Sequence, residues 1–126
     1  DQRHQTSRVQ NSRQVLGAKG EDFASRFLTQ QGLICVHKNW RCSFGEIDLI
    51  MFEEISKTIV AVEVKTRRNQ SFGDPLEALT IEKVKRLHKL IRMYRIESGH
   101  FEMQVRVDAI GITLEPEFLA EYRKDI

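Results

Sequence analysis

The alternation of hydrophobic and polar positions predicts a helix and three strands in the first half of the chain. A helical period runs from Leu16 and stops at Gly32. A short apolar run at residues 33–36 predicts a first strand. Residues 46–52 and 58–66 then predict two more strands joined by a polar turn. Strands joined in this way form antiparallel hairpins, so a meander of three strands is expected.

The second half of the chain predicts a long helix and one more strand. Asp74 and Pro75 are suited to begin a helix that ends near Gly99. Alternation over residues 101–112 predicts a strand, and the preceding helix lets it join the sheet parallel to its neighbour. Residues 115–126 fit either a terminal helix or a tail. The order predicts an α/β fold with a central mixed sheet flanked by helices.

Composition indicates an ordinary globular protein, with 40% hydrophobic and 30% charged residues in a chain of 126. Residues 1–14 precede the periodic pattern and are predicted to be a flexible arm, and residues 15–126 a single domain. The sequence has no apolar run of the roughly 20 residues that a membrane helix requires. We therefore predict a cytoplasmic protein without a membrane partner. The two cysteines are predicted to be reduced thiols.

Two charges in the third strand suggest chemistry. Val60 and Ala61 make this strand apolar on both faces, as expected of a central strand, whereas Glu63 and Lys65 point to one face. Pairing through the turn can bring Asp48 close to Glu63. Two adjacent carboxylates repel, and Mg²⁺ or Mn²⁺ would neutralise them. The lysine would then lie beside a bound phosphate, as phosphodiester hydrolysis requires.

Two features near these charges have more than one interpretation. Glu63 and Lys65 are also compatible with the exposed face of an antiparallel sheet. Glu21 precedes Leu28 by seven positions, almost two helical turns, and so projects from the apolar stripe of the first helix. It is either a third carboxylate of the site or an edge residue that reaches water.

Five short motifs contain these residues. They are Gly17–Glu21, Asn39–Arg41, Gly45–Ile50, Val62–Arg67 and Arg106–Asp108. Together, over about residues 15–112, they resemble the YraN-type family of predicted endonucleases. That family is placed in the PD-(D/E)xK, or restriction-endonuclease-like, superfamily and is similar to archaeal Holliday-junction resolvases.

The resemblance implies a restriction-endonuclease-like αβββαβ core, the order that the periodicity predicts. It also implies that Asp48 and Glu63 bind Mg²⁺ or Mn²⁺, that Lys65 is the catalytic lysine, and that Glu21 is an acid from the first helix. The Pro-Asp of the superfamily is Ile47-Asp48 here, which retains the carboxylate. By analogy, the substrate is expected to be DNA of branched or junction-like form, and the chain a homodimer.

Basic residues are candidates for phosphate contacts. On the second helix, Lys85, Lys89 and Arg92 share one face and form either a phosphate-binding stripe or a solvated surface. Lys83 lies near the apolar side and either points to the cleft or extends to water. Further candidates are Arg41, Arg67 and Arg68.

Two other functions remain open at this point. One is a nucleic-acid-binding module without catalysis. The other is a structural or interaction domain in which Glu63 and Lys65 form internal ion pairs. Arg106 and Asp108 are only two positions apart on one strand, so each is expected to pair with another element.

Overall fold

The strand that carries Glu63 and Lys65 lies in the middle of a five-stranded mixed sheet. The structure is a computed structural model, and it describes the backbone of residues 2–126 and the side chains of residues 14–126 except Phe72. The main elements are α1 (Gln2–Gln30), β1 (Leu33–Cys42), β2 (Gly45–Glu53), β3 (Thr58–Arg67), α2 (Ile81–Glu97), β4 (Gln104–Thr113) and β5 (Leu119–Arg123). Over the part of the chain described, neither helix is long and apolar enough to cross a membrane.

The strands follow one another across the sheet in chain order. β1, β2 and β3 are antiparallel, which confirms the predicted meander. β4 lies parallel to β3, and α2 provides the crossover between them, as predicted. β5 is antiparallel to β4 and forms an edge of the sheet, so residues 115–126 contain a short strand rather than a helix.

Each face of the sheet is covered by one helix. On one face, Ala24 and Leu28 of α1 pack on buried residues that include Met51 and Val62. On the other face, Leu87 and Ile91 of α2 pack on Trp40 and the alternate residues of the strands. β3 is buried from Thr58 to Glu63, because it is covered on both faces. This confirms the prediction of a central strand.

Several element boundaries differ from those predicted. α1 begins at Gln2, so residues 2–14, predicted as a flexible arm, continue the helix. Residues 2–16 contain neither glycine nor proline, and nothing in this segment interrupts a helical backbone. Asp74 and Pro75 begin the short 3-10 helix Pro75–Ala78, whereas α2 is capped by Thr80, whose hydroxyl accepts a hydrogen bond from the Lys83 N–H.

β1 is longer than the short strand predicted at residues 33–36. It continues to Cys42, with a register shift between Cys35 and His37. Lys38, Asn39 and Arg41 are exposed, which is why the hydrophobic pattern stops before the strand does.

A network of charged side chains joins the C-terminal end of β2 to β4 and β5. Arg106 donates hydrogen bonds to both oxygens of Glu53, at 2.7 and 3.1 Å, and to both oxygens of Asp108, at 3.0 and 3.2 Å. The Tyr122 hydroxyl and the Asp125 N–H also donate to Asp108. Each residue pairs with another element, as expected, but the two also pair with each other, which was not expected. An arginine side chain spans the roughly 7 Å between alternate residues of a strand.

Candidate active site

The site lies where β2 and β3 stop pairing. The last paired residues of the hairpin are Leu49 and Val62, and the next residues along the two strands are Asp48 and Glu63. Asp48 Oδ2 accepts a hydrogen bond of 2.8 Å from the Val64 N–H. The Asp48 side chain therefore satisfies a backbone donor of β3 past the last pair of the ladder, and this contact fixes the carboxylate beside β3.

Glu63 is buried and shared between two lysines. Only 6% of its surface is exposed. Its Oε1 lies 3.2 Å from the Nζ of Lys83 on α2 and 3.7 Å from the Nζ of Lys65 on its own strand. A charge at this depth requires partners. The second helix thus supplies a cation to the central strand, and the predicted contact between Lys83 and the cleft is present in the structure.

Burial and neighbouring charges perturb three of these groups. Burial, followed by the negative charge of Glu63, raises the pKa of Asp48 to about 7, although the Val64 hydrogen bond opposes the shift. Burial and the neighbouring Lys83 ammonium lower the pKa of Lys65. Burial also acts to lower the pKa of Lys83, but contact with Lys65 and the charge of Glu63 outweigh it and raise that pKa.

Glu21 reaches the same site from α1. Its Oε2 accepts a hydrogen bond of 3.2 Å from the Asn39 amide of β1, and its charge contributes to the raised pKa of Asp48. Gly20 makes this approach feasible, because a Cβ at that position would collide with the hydroxyl of Thr66 on β3. Glu21 is half-buried, so it lies at the rim of the cavity.

Two adjacent cavities meet at the carboxylates. One, of about 300 Å³, is bounded by α1 and β3, and the other, of about 190 Å³, by α2 and the start of β2. Both are lined by Asp48, Glu63, Lys83 and Glu46. The larger cavity adds Glu21 and Lys65, and the smaller adds Arg86 and Gly45. An extended polar ligand could therefore occupy space on both sides of the carboxylates.

The donor atoms suit a hard divalent cation. Asp48 and Glu63 present carboxylate oxygens to one polar cavity, and such ligands are those that Mg²⁺ and Mn²⁺ prefer. Among the side chains that the structure describes, no group of three or more His, Cys, Asp or Glu is arranged to hold a metal ion. A cation here would be bound by two carboxylates, with water or substrate oxygens completing its coordination, which is usual for Mg²⁺.

The other predicted basic residues lie outside these cavities. Arg41 pairs with Glu46 at 3.1 Å, and Arg68 lies 3.9 Å from Glu115. Arg67 is half-buried at the end of β3. On α2, Lys85, Lys89 and Arg92 are exposed, and helical spacing places them on the side of α2 that faces away from the sheet. They do not line the cavities that contain Lys83.

Sequence reasoning missed two contributors. Arg86 lines the smaller cavity, three positions after Lys83 and on the adjoining part of the helix surface. Asn39 orients Glu21 and has a positive φ of 53°. That conformation is one that asparagine tolerates better than most residues. The i, i+3 spacing of Lys83 and Arg86 was readable from the sequence, whereas the contact of Asn39 depends on how α1 crosses β1.

The fold and the site define a mixed α/β protein whose central strands hold two carboxylates and a lysine against a second lysine from a helix. Residues 20–112 match the family model described as "Uncharacterised protein family UPF0102", and the chain belongs to this family. The membership expected from the motifs is thus confirmed at the level of the family.

Similar curated proteins carry the same family name. A UPF0102 protein of Nocardia farcinica is 41% identical over 104 residues, which are 82% of this chain and 80% of the relative. One of Rhodococcus jostii is 43% identical over 100 residues, 79% of this chain and 83% of the relative. One of Mycobacterium tuberculosis is 39% identical over 105 residues, 83% of this chain and 82% of the relative. None of these names states an activity.

Proposed function

We propose that this protein is a metal-dependent endonuclease that hydrolyses phosphodiester bonds in DNA. The observation that carries the proposal is the meeting of Asp48, Glu63, Lys65 and Lys83 at one polar cavity where a hairpin opens. Carboxylates and lysines at such proximity match the needs of phosphoryl chemistry, in which a cation and positive side chains stabilise an anionic transition state.

The order of elements supports placing the fold among restriction-endonuclease-like proteins. A helix, three antiparallel strands, a helix and a parallel strand follow one another as in the αβββαβ core of the PD-(D/E)xK superfamily. The carboxylates and Lys65 lie on the second and third strands, as the resemblance implies. β5 would then be an addition to that core.

Each residue has a role in the proposed reaction. Asp48 and Glu63 would hold Mg²⁺ or Mn²⁺, which when bound supplies Lewis-acid stabilisation of the phosphate undergoing hydrolysis. Lys65 orients the attacking water and, with Lys83, stabilises negative charge on the phosphate oxygens. Glu21 contributes further negative charge at the rim. Branched DNA, a homodimer and a cytoplasmic location remain part of the proposal by analogy with the resolvases.

Metal binding is the first test. Titration calorimetry with Mn²⁺ should show binding by the parent protein that is lost in Asp48→Ala. Asp22→Ala removes an exposed carboxylate of α1 that pairs with Arg26, and this control should bind Mn²⁺ like the parent. If the parent protein binds no Mn²⁺, the proposal of a metal-dependent endonuclease is wrong.

Cleavage is the second test. With Mg²⁺, the parent should cut branched DNA, and Lys65→Ala should reduce the rate by about 10²-fold or more, as loss of an electrostatic stabiliser does in other enzymes. Lys38→Ala, which removes an exposed lysine of β1, is the matched control and should cut at the parental rate. Equal cleavage by Lys65→Ala and the parent would mean that another site or a contaminant does the chemistry. Cleavage rates on linear DNA and on RNA of the same sequence, compared with the rate on branched DNA, would define the substrate.

The ion pairs of Glu63 favour a second candidate, a nucleic-acid-binding module without catalysis. With Lys65 at 3.7 Å and Lys83 at 3.2 Å, Glu63 is neutralised without a metal. Nucleic-acid binding that is unchanged by Mn²⁺, together with no cleavage, would support this candidate over the enzyme.

A further inference from the structure

An exposed phenylalanine lies at the tip of the hairpin that leads into the candidate site. Phe44 occupies the two-residue turn between Cys42 and Gly45, and 60% of its surface is exposed. A single exposed aromatic side chain is ordinary on a protein surface. The surroundings of the Phe44 ring distinguish it from other exposed aromatic side chains.

The turn that presents Phe44 is held firmly against α2. Gly45 has a φ of +146°, and a Cβ there would lie 3.3 Å from Leu90 and 3.6 Å from the Arg86 side chain. The glycine thus allows both the turn and its close packing on the helix. Leu90 is itself buried. Phe44 therefore belongs to a turn that packs against α2.

One cation lies over this aromatic ring and a second lies beside the next residue. The Nζ of Lys89 lies 5.2 Å from the centroid of the Phe44 ring, within the range of a cation–π contact. Arg86 packs beside the neighbouring Gly45. The nearby acid Glu46 is paired with Arg41 at 3.1 Å, so its charge is partly offset. Exposed aromatic rings beside cations are how proteins bind unpaired nucleotides, because the ring stacks on the base and the cation attracts the phosphate.

The ring is also close to the candidate active site. Gly45, the next residue, lines the smaller cavity together with Asp48, Glu63 and Arg86. The strand rise of about 3.3 Å per residue puts the Cα atoms of Gly45 and Asp48 about 10 Å apart, and Phe44 is the residue before Gly45. A nucleic-acid strand that crosses the carboxylates through the smaller cavity would reach Phe44 within a few nucleotides.

We propose that Phe44 stacks on an unpaired nucleobase of the substrate, on the α2 side of the bond to be cut. This inference rests on the proposed function and narrows its substrate to nucleic acid with unpaired nucleotides beside the cut, such as a branch or a single-stranded end. Arg86 and Lys89 bind the phosphates of the same segment. A continuous duplex keeps its bases stacked inside, so it gains nothing from Phe44.

Binding without divalent ions tests the inference, because cleavage cannot then interfere. Anisotropy in EDTA would compare single-stranded, branched, duplex and abasic DNA, with single-stranded RNA as a further arm. Phe44→Ala should weaken binding of single-stranded and branched DNA about 5- to 50-fold, and of duplex and abasic DNA less than 2-fold. Phe44→Trp should bind like the parent. Phe101→Ala, which removes another exposed phenylalanine (68% exposed) beyond the C-terminal end of α2, is the matched control.

A second readout locates the base. Quenching of 2-aminopurine, placed at successive positions of a branched DNA, should be strongest at one unpaired position and should disappear in Phe44→Ala. Equal affinity of Phe44→Ala and parent for single-stranded and branched DNA, or an equal loss on duplex, would overturn the inference. If the parent cleaves DNA while Phe44→Ala binds normally, the stacking role is wrong and the nuclease stands. If the parent binds no nucleic acid, both fall.

Discussion

At the scale of single residues, the site depends on where a hairpin stops. Glu63 is nearly buried and Asp48 has a raised pKa, so both carboxylates carry a cost of burial. The Val64 N–H is available to Asp48 because β2 and β3 no longer pair at this point, and it offsets the cost for that carboxylate. The lysines offset the cost for Glu63. Charges in a central strand are therefore compatible with the fold, and they leave oxygens facing a cavity.

Asn39 provides a test of the role of Glu21. Asn39→Gly removes the amide that donates to the Glu21 carboxylate but keeps a residue that tolerates the positive φ. We expect DNA cleavage to fall about 10-fold, since residues that orient a site residue have effects of that size. The free energy of unfolding should change by less than about 1 kcal/mol. Steady-state cleavage rates and urea unfolding measure the two quantities.

An unchanged cleavage rate in Asn39→Gly would show that the orientation of Glu21 does not matter. Glu21→Gln, measured in parallel, would then establish whether the carboxylate itself contributes.

Glu53 predicts a pH dependence of stability. Hydrogen bonds from Arg106 and Ser56 lower the pKa of Glu53 to about 2. Because the folded pKa lies below the ordinary value of 4.5, ionised Glu53 stabilises the fold above pH 4.5, and this contribution is lost as the pH falls toward 2. Glu53→Gln should therefore lower the free energy of unfolding by on the order of 2 kcal/mol at pH 7, and by roughly half as much at pH 3, where folded Glu53 is still largely ionised.

Urea unfolding followed by circular dichroism at pH 7, 5 and 3 measures this difference. Glu54→Gln changes an exposed neighbour in the turn and should differ from the parent by less than about 0.5 kcal/mol at each pH. A Glu53→Gln difference that stays the same from pH 7 to pH 3 would contradict the linkage.

Sequence reasoning identified the charged residues of the site and the closeness of Asp48 to Glu63, but not the ion pair between Glu63 and Lys83. Glu63 and Lys65 stand out because charges interrupt an apolar strand, and that signal is local. The pairing of Glu63 with Lys83 joins β3 to α2, so it depends on how the crossover helix packs. For Arg106 and Asp108 the spacing along the strand argued against an ion pair, but the long arginine side chain reaches Asp108 and forms one.

At the scale of elements, the docking of α1 on β3 positions Glu21. Gly20→Ala would drive a Cβ into the Thr66 hydroxyl, and we expect it to lower the free energy of unfolding by about 1–3 kcal/mol. Gly17→Ala is the matched control, because the space around Gly17 is open and alanine favours a helix. It should raise stability by roughly 0.5–1 kcal/mol. Thermal and urea unfolding of the two variants measure both changes.

Adding Thr66→Ala to Gly20→Ala removes the closest atom, and this double variant should recover part of the loss. If Gly20→Ala stabilised the protein as Gly17→Ala does, α1 would not be packed on β3 as the structure has it.

Periodicity located most elements because their buried apolar residues follow a regular pattern. The helices α1 and α2 each bury one face, and β2, β3 and β4 contribute buried residues to both faces of the sheet. β5 shows little of this pattern: four of its five residues are exposed, and its pairing with β4 depends on backbone hydrogen bonds that no side-chain pattern reveals. The second half of β1 was missed for the same reason.

At the scale of the whole molecule, the net charge of +2 conceals a strong separation of charge. α2 carries six lysines or arginines and only two glutamates. Lys83 and Arg86 line the candidate site, whereas Lys85, Lys89 and Arg92 are exposed on the side of the helix away from the sheet. A nucleic acid would meet this exposed surface as a uniform positive field, without sequence preference.

The salt dependence of binding tests that surface. Replacing Lys85, Lys89 and Arg92 by alanine should weaken DNA binding to a similar extent for all sequences. The slope of log K against log salt concentration should become shallower by about 2, because each phosphate contact contributes roughly 0.7–0.9. Anisotropy between 50 and 200 mM salt in EDTA measures this slope.

A control with Arg26→Ala and Lys38→Ala, two exposed cations beside Asp22, should keep the parental slope. Parallel slopes for the parent and the triple variant would mean that the stripe is only a solvated face, with Lys83 and Arg86 left as the phosphate contacts of α2.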